Sequence, residues 1–378
     1  MAPAAVAALD DDLLREVFIF LPSPADLLRA ALACKPFLRA VRNAAFLRRF
    51  RRLHGSSSTL LLGCLVHLCH PDQPAPFLLP SAGPAAAAKT RVARDGDFSL
   101  SFLPRGGWLG GDTWQFLDCR NGRLLLKNRE SQELAVADPL AWRCISLPPS
   151  PAERPVGYGL VADYGDQSAF RVFFITQDGG SSDTRALVLS SGELSWSDVA
   201  GLPRRPNLTH SRAMQANGSL YWTLKGGHSM VALNTATMEF SILKLPIPFR
   251  QLSFDVVEKC EDGNVLYLLT FRGFCIEVWA GAEDGAGVLT WTQVEKSVRF
   301  HKAMAMMHDS PELYQHGLDV IGVVAGVVFL RQWNRLLSID LETMQLRRLS
   351  EEDCSSASIY PYAIPWPPMF LNPAEHGA

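Results

Sequence analysis

The sequence predicts a small all-α unit followed by a large all-β domain, most simply a β-propeller. Three observations carry that prediction. Apolar residues keep a helical period, with capping residues between segments, only as far as residue 54. After Gly55-Ser-Ser-Ser, short β-branched, leucine-rich and aromatic runs alternate with Gly, Asp, Asn and Pro. Within that second region one outline recurs: a glycine turn, a strand, a break, a strand ending in Asp or Asn, a short turn and a last strand.

The helices come first. Leu9, Leu13, Leu14, Val17, Phe18 and Leu21 keep the spacing of one helix face, and Asp10, Asp11 and Asp12 sit at its N-terminus, where negative charge is favourable. Pro22 stops this helix. Ser23-Pro24-Ala25-Asp26 reads as an N-cap with proline at the first helical position, followed by Leu27, Leu28, Ala31 and Leu32. Cys34-Lys35-Pro36-Phe37-Leu38 opens a third helix, and Asn43 caps a fourth, NAAFLRRFRRLH, with Gly55 as its stop.

The repeated strand outline is carried by DCRNGRLLLKNRESQELAVADPLAWRCISLP, MQANGSLYWTLKGGHSMVALNTATMEFSILKLP, KCEDGNVLYLLTFRGFCIEVW and GVVAGVVFLRQWNRLLSIDLETMQLRRL. The segment from Tyr158 to Val199 fits it less tidily. With turn glycines at Gly122, Gly218, Gly263 and Gly326, the unit is on the order of 45 to 50 residues, the range of four-stranded propeller blades. The expected boundaries are a helical domain over 1–54, a linker over 55–58, a propeller over 59–370 and a tail over 371–378. The Pro- and Ala-rich stretch from Pro71 to Ala88 reads as a long surface loop between early strands.

Composition narrows the function classes. A formal net charge of -2 gives no global pull toward nucleic acid or acidic membrane. Eight scattered cysteines (Cys34, Cys64, Cys69, Cys119, Cys144, Cys260, Cys275, Cys354) without a CxxC pair suit a reducing compartment. The start MAPAAVAALDDD lacks the basic flank of a signal peptide, and the apolar run from Val320 to Leu330 is about half of the roughly 20 residues that a membrane span needs. These readings imply an intracellular protein of cytoplasm or nucleus, in which Asn207-Leu-Thr and Asn217-Gly-Ser match the glycosylation pattern by chance.

The opening helices resemble the F-box over about Leu9 to Phe50. Leu9-Asp-Asp-Asp-Leu13-Leu14 stands for the usual Leu-Pro-Asp-Asp-Leu start, Phe20-Leu21-Pro22 for the Arg-Leu-Pro turn and Asp26-Leu27-Leu28-Arg29 for the second helix. Cys34-Lys35 with Phe37 falls where the family has Val-Cys-Lys-x-Trp-Arg; Asp10 replaces the common proline and Phe37 the common tryptophan. DCRNGRLLL, VADP and ISLP resemble a plant family in which the F-box leads into an F-box-associated propeller. The resemblance implies the substrate-recognition subunit of an SCF-type ubiquitin ligase. Its helices would dock a Skp-family adaptor, and through it a cullin and a RING protein, and its propeller would recruit a target protein. It makes Leu9, Leu13, Leu14, Val17, Phe18, Leu21, Leu27, Leu28, Leu32 and Phe37 the candidate adaptor anchors, some of which must instead form the unit's own core. Eight fully buried Leu or Phe side chains supply roughly 12–24 kcal/mol, against an association cost of about 4–15 kcal/mol. The bland alternative is a helical cap packed on the β-domain. Readings from other classes are an adaptor-bound scaffold that directs no degradation, and a propeller lectin or enzyme with a helical cap.

Other signals have ordinary explanations. Arg29, Lys35, Arg39, Arg42, Arg48, Arg49, Arg51 and Arg52 could form a nucleic-acid arm, but Phe46, Leu47, Phe50 and Leu53 interleave at helical spacing and ask for burial, so a solvated helix face is expected. Cys64-Leu-Val-His67-Leu-Cys69-His70 gathers possible zinc ligands in a strand that would point Cys64 away from His67 and Cys69, so no metal is expected. No GxSxG or HExxH motif is present, and Gly179-Gly180-Ser181-Ser182 and Gly226-Gly227-His228 lack a phosphate-loop ending. Asp163, Asp166, Asp178 and Asp183 sit where turns need backbone caps. About half or more of the nine tryptophans are expected in blade cores. No catalytic residue and no cofactor are expected.

Overall fold

The computed structural model describes residues 9–54, 59–68, 75–81, 86–104, 108, 114–151, 155–162, 169–177, 184–202, 207–208, 212–246, 252–257, 265–273, 275–283, 289–294, 298–299, 317–368 and 371. Four helices open the chain: α1 (Asp11–Phe18), α2 (Pro24–Ala31), α3 (Lys35–Val41) and α4 (Ala44–Leu53). Their starts follow the capping chemistry. Asp10 accepts from the Leu13 N–H at 2.8 Å, Ser23 from Asp26 at 3.2 Å and Asn43 from Phe46 at 2.9 Å. Cys34 makes no side-chain cap, so α3 depends on Pro36 in its first turn. The expected stop at Gly55 lies outside the described residues; the last carbonyls of α4 are met by the His54 N–H, which donates to Phe50 O at 3.0 Å.

The rest forms six antiparallel sheets arranged as propeller blades. β1 (Thr59–His67) and β2 (Phe77–Pro80) come first, then a fifth helix, α5 (Ala86–Ala93). Blade 1 is β3 (Trp114–Arg120), β4 (Arg123–Asn128), β5 (Leu134–Asp138) and β6 (Arg143–Leu147). Blade 2 is β7 (Pro155–Ala162), β8 (Phe170–Gln177), β9 (Thr184–Ser190) and β10 (Trp196–Leu202), so the untidy Tyr158 to Val199 segment is a full blade. Blade 3 is β11 (Met214–Ala216), β12 (Ser219–Thr223), β13 (Ser229–Asn234) and β14 (Phe240–Lys244). Blade 4 is β15 (Phe254–Val257), β16 (Leu266–Arg272), β17 (Cys275–Glu283) and β18 (Leu289–Gln293), with β19 (Val298–Arg299) also pairing β17. Blade 5 is β20 (Asp319–Val324), β21 (Val327–Gln332), β22 (Arg335–Asp340) and β23 (Leu346–Arg348).

Blade 6 closes the ring with strands from both ends of the domain: β24 (Ser358–Pro365) is its inner strand, paired from Thr59↔Pro365 to His67↔Ser358 with β1, which in turn pairs β2. First strands line the axis. β3 lies beside β7, β11 beside β15, β15 beside β20, β20 beside β24 and β24 beside β3, while Tyr158 bridges Arg212 between blades 2 and 3. The Pro71 to Ala88 surface loop is corrected in two places. Phe77–Pro80 pairs with β1, and a run of alanines, the strongest helix former, starts α5 at Ala86.

Local chemistry repeats from blade to blade. Between first and second strands, Asn121-Gly122, Asn217-Gly218 and Ala325-Gly326 all have two positive φ values, the two-residue hairpin turn that Asn-Gly favours; Gly263 lies outside the described residues. Between third and fourth strands, Asp138, Asn234 and Asp340 each accept from two N–H groups two and three residues on, and Trp142, Met238 and Met344 follow with φ of 54°, 60° and 56°. These two kinds of turn share one face of the ring, because strand direction alternates. The Trp196 indole donates to Pro148 O at 3.1 Å and the Trp291 indole to Lys244 O at 2.7 Å, each tying an outer strand to the preceding blade.

Candidate partner-docking surface

The helical unit sits on the face of the ring that carries those turns. Its core is continuous with blades 6 and 1: Leu27, Leu28, Val41, Phe46 and Phe50 join one cluster with Leu60, Leu62, Phe116, Leu124, Tyr362 and Trp366. α5 and the loop after it wedge the junction. The Arg91 guanidinium donates to Leu32 O at 2.8 Å, that of Arg51 donates to Trp366 O, and the Trp142 indole donates to Asp95 O at 2.7 Å. Helices and propeller therefore share one core, and the expected linker over 55–58 lies outside the described residues.

The structure splits the ten candidate anchors. Leu14, Phe18, Leu27 and Leu28 are buried inside the unit, so a partner cannot touch them while the fold is intact. Leu21, Leu32 and Phe37 are half-buried against that core, Phe37 with its ring edge-on to Phe18 at 5.1 Å. Leu9, Leu13 (54% exposed) and Val17 (57%) line the outer face of α1. Two residues outside the expected set join them: Phe20 is 82% exposed, and Leu53, expected to be buried, is 62% exposed at the end of α4. Phe20, three residues after Val17 and just past the end of α1, falls on the same side of a helical wheel and was legible there. Leu53 was not, because its exposure follows from α4 ending there. The His54 ring lies 2.6 Å from Ile19 O, which ties the end of α4 to the end of α1.

Ion pairs frame this strip. Arg39 holds Asp11 across the unit at 2.9 Å, and Arg49 holds Glu16 at 2.5 Å. These hydrogen bonds hold both carboxyls below their ordinary values. Asp10 caps α1 and so fixes where the helix starts.

Charged side chains meet at the propeller axis. Asp118 accepts from the N–H groups of Cys119 and Leu160 and from Arg212 Nε, and Arg120 lies 3.6 Å away. The Arg212 guanidinium lies 5.0 Å from the centre of the Tyr360 ring, whose hydroxyl burial pushes up to about 12. Asp255 accepts from Val256 and Val323, and burial raises its carboxyl.

The remaining sequence candidates fall as follows. Cys64 lies in the apolar cluster between β1 and blade 5, while the His67 ring faces Trp108 and Phe116; Cys69 and His70 lie outside the described residues. No group of three metal-ligating side chains occurs among the described residues. Gly226-Gly227-His228 is the hairpin turn between β12 and β13, whereas Gly179 to Ser182 and Asp163, Asp166, Asp178 and Asp183 lie outside the described residues. Trp108, Trp114, Trp222 and Trp366 are buried, Trp196, Trp279 and Trp291 half-buried, and Trp142 and Trp333 exposed. The Val320 to Leu330 run is the β20–β21 hairpin, and no helix is long and apolar enough to cross a membrane among the described residues.

The family model described as F-box protein AT5G49610-like, beta-propeller, matches residues 115–370. The chain belongs to this family. The matched span of this F-box-protein-like propeller begins in β3 and passes β24, and the helices precede it. No curated protein matches the chain. Among solved structures it is similar to a chain of a nidogen/laminin complex (13% identity, 65% of this chain and 81% of that one, TM-score 0.35). It is also similar to YCF48 from Cyanidioschyzon merolae (9%, 78% and 86%, 0.36) and to an oligogalacturonate lyase from Vibrio parahaemolyticus (9%, 64% and 65%, 0.36). At these values the solved structures bear on nothing in this chain's chemistry.

Proposed function

We propose that this protein is the substrate-recognition subunit of an SCF-type ubiquitin ligase, working in cytoplasm or nucleus. The outer face of α1 docks a Skp-family adaptor, and the propeller recruits a target protein. The chain makes and breaks no bond. Its contribution is proximity: it holds a target lysine where a conjugating enzyme, carried by the cullin and RING protein, can reach it. The observation that carries this reading is the exposed row Leu9, Leu13, Val17 and Phe20 on helices fused to a propeller of an F-box-protein family. A soluble helical cap with no partner has no use for four aligned apolar side chains in water.

Burying Leu13, Val17, Phe20 and Leu53 supplies about 6–12 kcal/mol, which only meets an association cost of about 4–15 kcal/mol. The adaptor must therefore also engage half-buried Leu21 and Leu32 or the charged rim. The test is capture of the full chain by a purified Skp-family adaptor, scored beside the Leu13→Asp/Val17→Asp variant. Capture of the wild type and its loss in the folded variant support the reading; a folded wild type that the adaptor does not retain overturns it.

A further inference from the structure

The helical unit carries a charge surplus that its own acids do not absorb. Between residues 9 and 54 there are nine Arg and Lys side chains and five Asp and Glu, in a chain whose overall balance is -2. Each acid is already committed: Asp10 caps α1, Asp11 binds Arg39, Asp12 binds Arg15, Glu16 binds Arg49 and Asp26 binds Arg29. Arg51 is turned to the propeller, donating to Trp366 O. Of the other four bases, Lys35 opens α3 and Arg42 ends it, whereas Arg48 and Arg52 stand one helical turn apart on the outer face of α4, both exposed and with no ion pair among the described residues.

Their position links them to the docking strip. The Glu16–Arg49 pair joins the exposed side of α1 to α4, and at 100° per residue Arg52 and then Arg48 follow Arg49 around α4, away from α1. From the apolar row of α1 the surface crosses a groove lined by Leu13, Glu16, Ala45 and Arg49, spanned by that ion pair, and reaches the two guanidiniums of Arg48 and Arg52. A partner that covers Val17, Phe20 and Leu53 and extends past the ion pair meets both.

We propose that Arg48 and Arg52 form an electrostatic docking ridge for an acidic surface on the same protein partner that covers α1. The proposal rests on the adaptor reading and adds to it the chemistry of the rim. A neutral or basic flank would leave two like charges unrelieved at the interface edge, whereas an acidic flank steers encounter. Exposed charges at a rim act on association more than on dissociation, and they are screened within about 8–10 Å at physiological salt. An anionic polymer such as DNA is the competing occupant. It is disfavoured because two arginines without ion pairs on one ridge are few for an anionic polymer, and exposed apolar Leu53 follows Arg52 directly in α4.

The experiment measures association and dissociation rates of the full chain with a purified Skp-family adaptor at low and high salt, for wild type and for Arg48→Glu/Arg52→Glu. The expected result is a roughly tenfold fall in the variant's association rate at low salt, a dissociation rate changed less than about twofold, and a wild-type rate that falls with salt more steeply than the variant's. Adaptor binding with equal, salt-independent rates in both proteins overturns the ridge and leaves the docking reading intact. Failure of the folded wild type to bind overturns both. A duplex oligonucleotide is the second probe: binding by wild type, lost in the variant, with unchanged adaptor kinetics would assign the ridge to nucleic acid and overturn the proposal.

Discussion

Asp118 on β3 and Arg212, just before β11, meet at the propeller axis with Oδ1 3.2 Å from Nε, and the carboxylate is fully buried. The pair joins blade 1 to blade 3, and the other Asp118 oxygen takes the Leu160 N–H of blade 2. One side chain therefore ties three blades.

Removing that carboxylate strands Arg212 and two backbone donors. Asp118→Ala is expected to cost about 3–5 kcal/mol, because a broken buried pair leaves an uncompensated charge. Urea unfolding followed by tryptophan fluorescence measures it; a loss below about 1 kcal/mol would show that the axis holds the ring by packing alone.

Exposed and buried leucines of the helical unit should behave in opposite ways. Leu13→Asp/Val17→Asp is expected to leave the melting temperature within a few degrees of wild type while removing adaptor capture, because both side chains already face water. Leu28→Asp places a charge in the shared core and is expected to unfold the unit. Equal melting temperatures for the two variants would contradict the burial pattern.

Residues 1–58 alone are expected to show much less helix than the same residues in the full chain. The four helices span 8, 8, 7 and 10 residues, too short to hold by propensity, and their core is completed by Leu60, Phe116 and Trp366. Circular dichroism of the fragment decides it, and a cooperative melt would show that the helices fold by themselves.

Two glycines separate crowding from backbone strain. A Cβ on Gly63 would lie 2.1 Å from Leu79 O, so Gly63→Ala must push β2 off β1, at about 3 kcal/mol or more. Gly218 has open space but φ of +69°, so Gly218→Ala is expected to cost only about 1–2 kcal/mol. Chemical denaturation of both variants ranks them, and the reverse order would place the strain in the turn.

Acid should loosen α1 before β15. Hydrogen bonds from Arg39 and Arg49 lower Asp11 and Glu16, so their contribution is full above the ordinary values of 3.8 and 4.5 and is lost as pH falls through the depressed ones. Both pairs are exposed, so the effect is small. Burial raises Asp255, so its cost is present above its raised value and is relieved on acidification. Hydrogen exchange, corrected for intrinsic pH dependence, should show protection in α1 falling below about pH 4.5 ahead of β15. Simultaneous loss would argue against this order.

Much of the fold was legible because its signals are local. Ser23 and Asn43 cap the helices they were expected to cap, and Asp10, expected only as one of three acids at the start of α1, caps it, since a cap needs only the next three residues. The Asn-Gly turns were read for the same reason. What escaped depends on distant partners: β2 is a strand because β1 offers it an edge, and blade 2 hid behind insertions that weaken its outline. Likewise the ten anchors could not be sorted by their own sequence, because α3, α4 and the propeller decide which side of α1 is covered.

By itself, then, the sequence determined the order of the four opening helices and the later strands, the caps at Ser23 and Asn43, and the glycine-turned strand repeat. Tertiary structure alone decided that six blades close by pairing β1 with β24, that Asp118, Arg212 and Asp255 meet at the axis, and that Leu13, Val17, Phe20 and Leu53 stay in water. The physical reason is range. Caps, turns and periodicity are set by neighbours within a few residues, whereas ring closure and the allocation of an apolar side chain to core or surface depend on groups hundreds of residues away, such as Trp366 beneath Arg51.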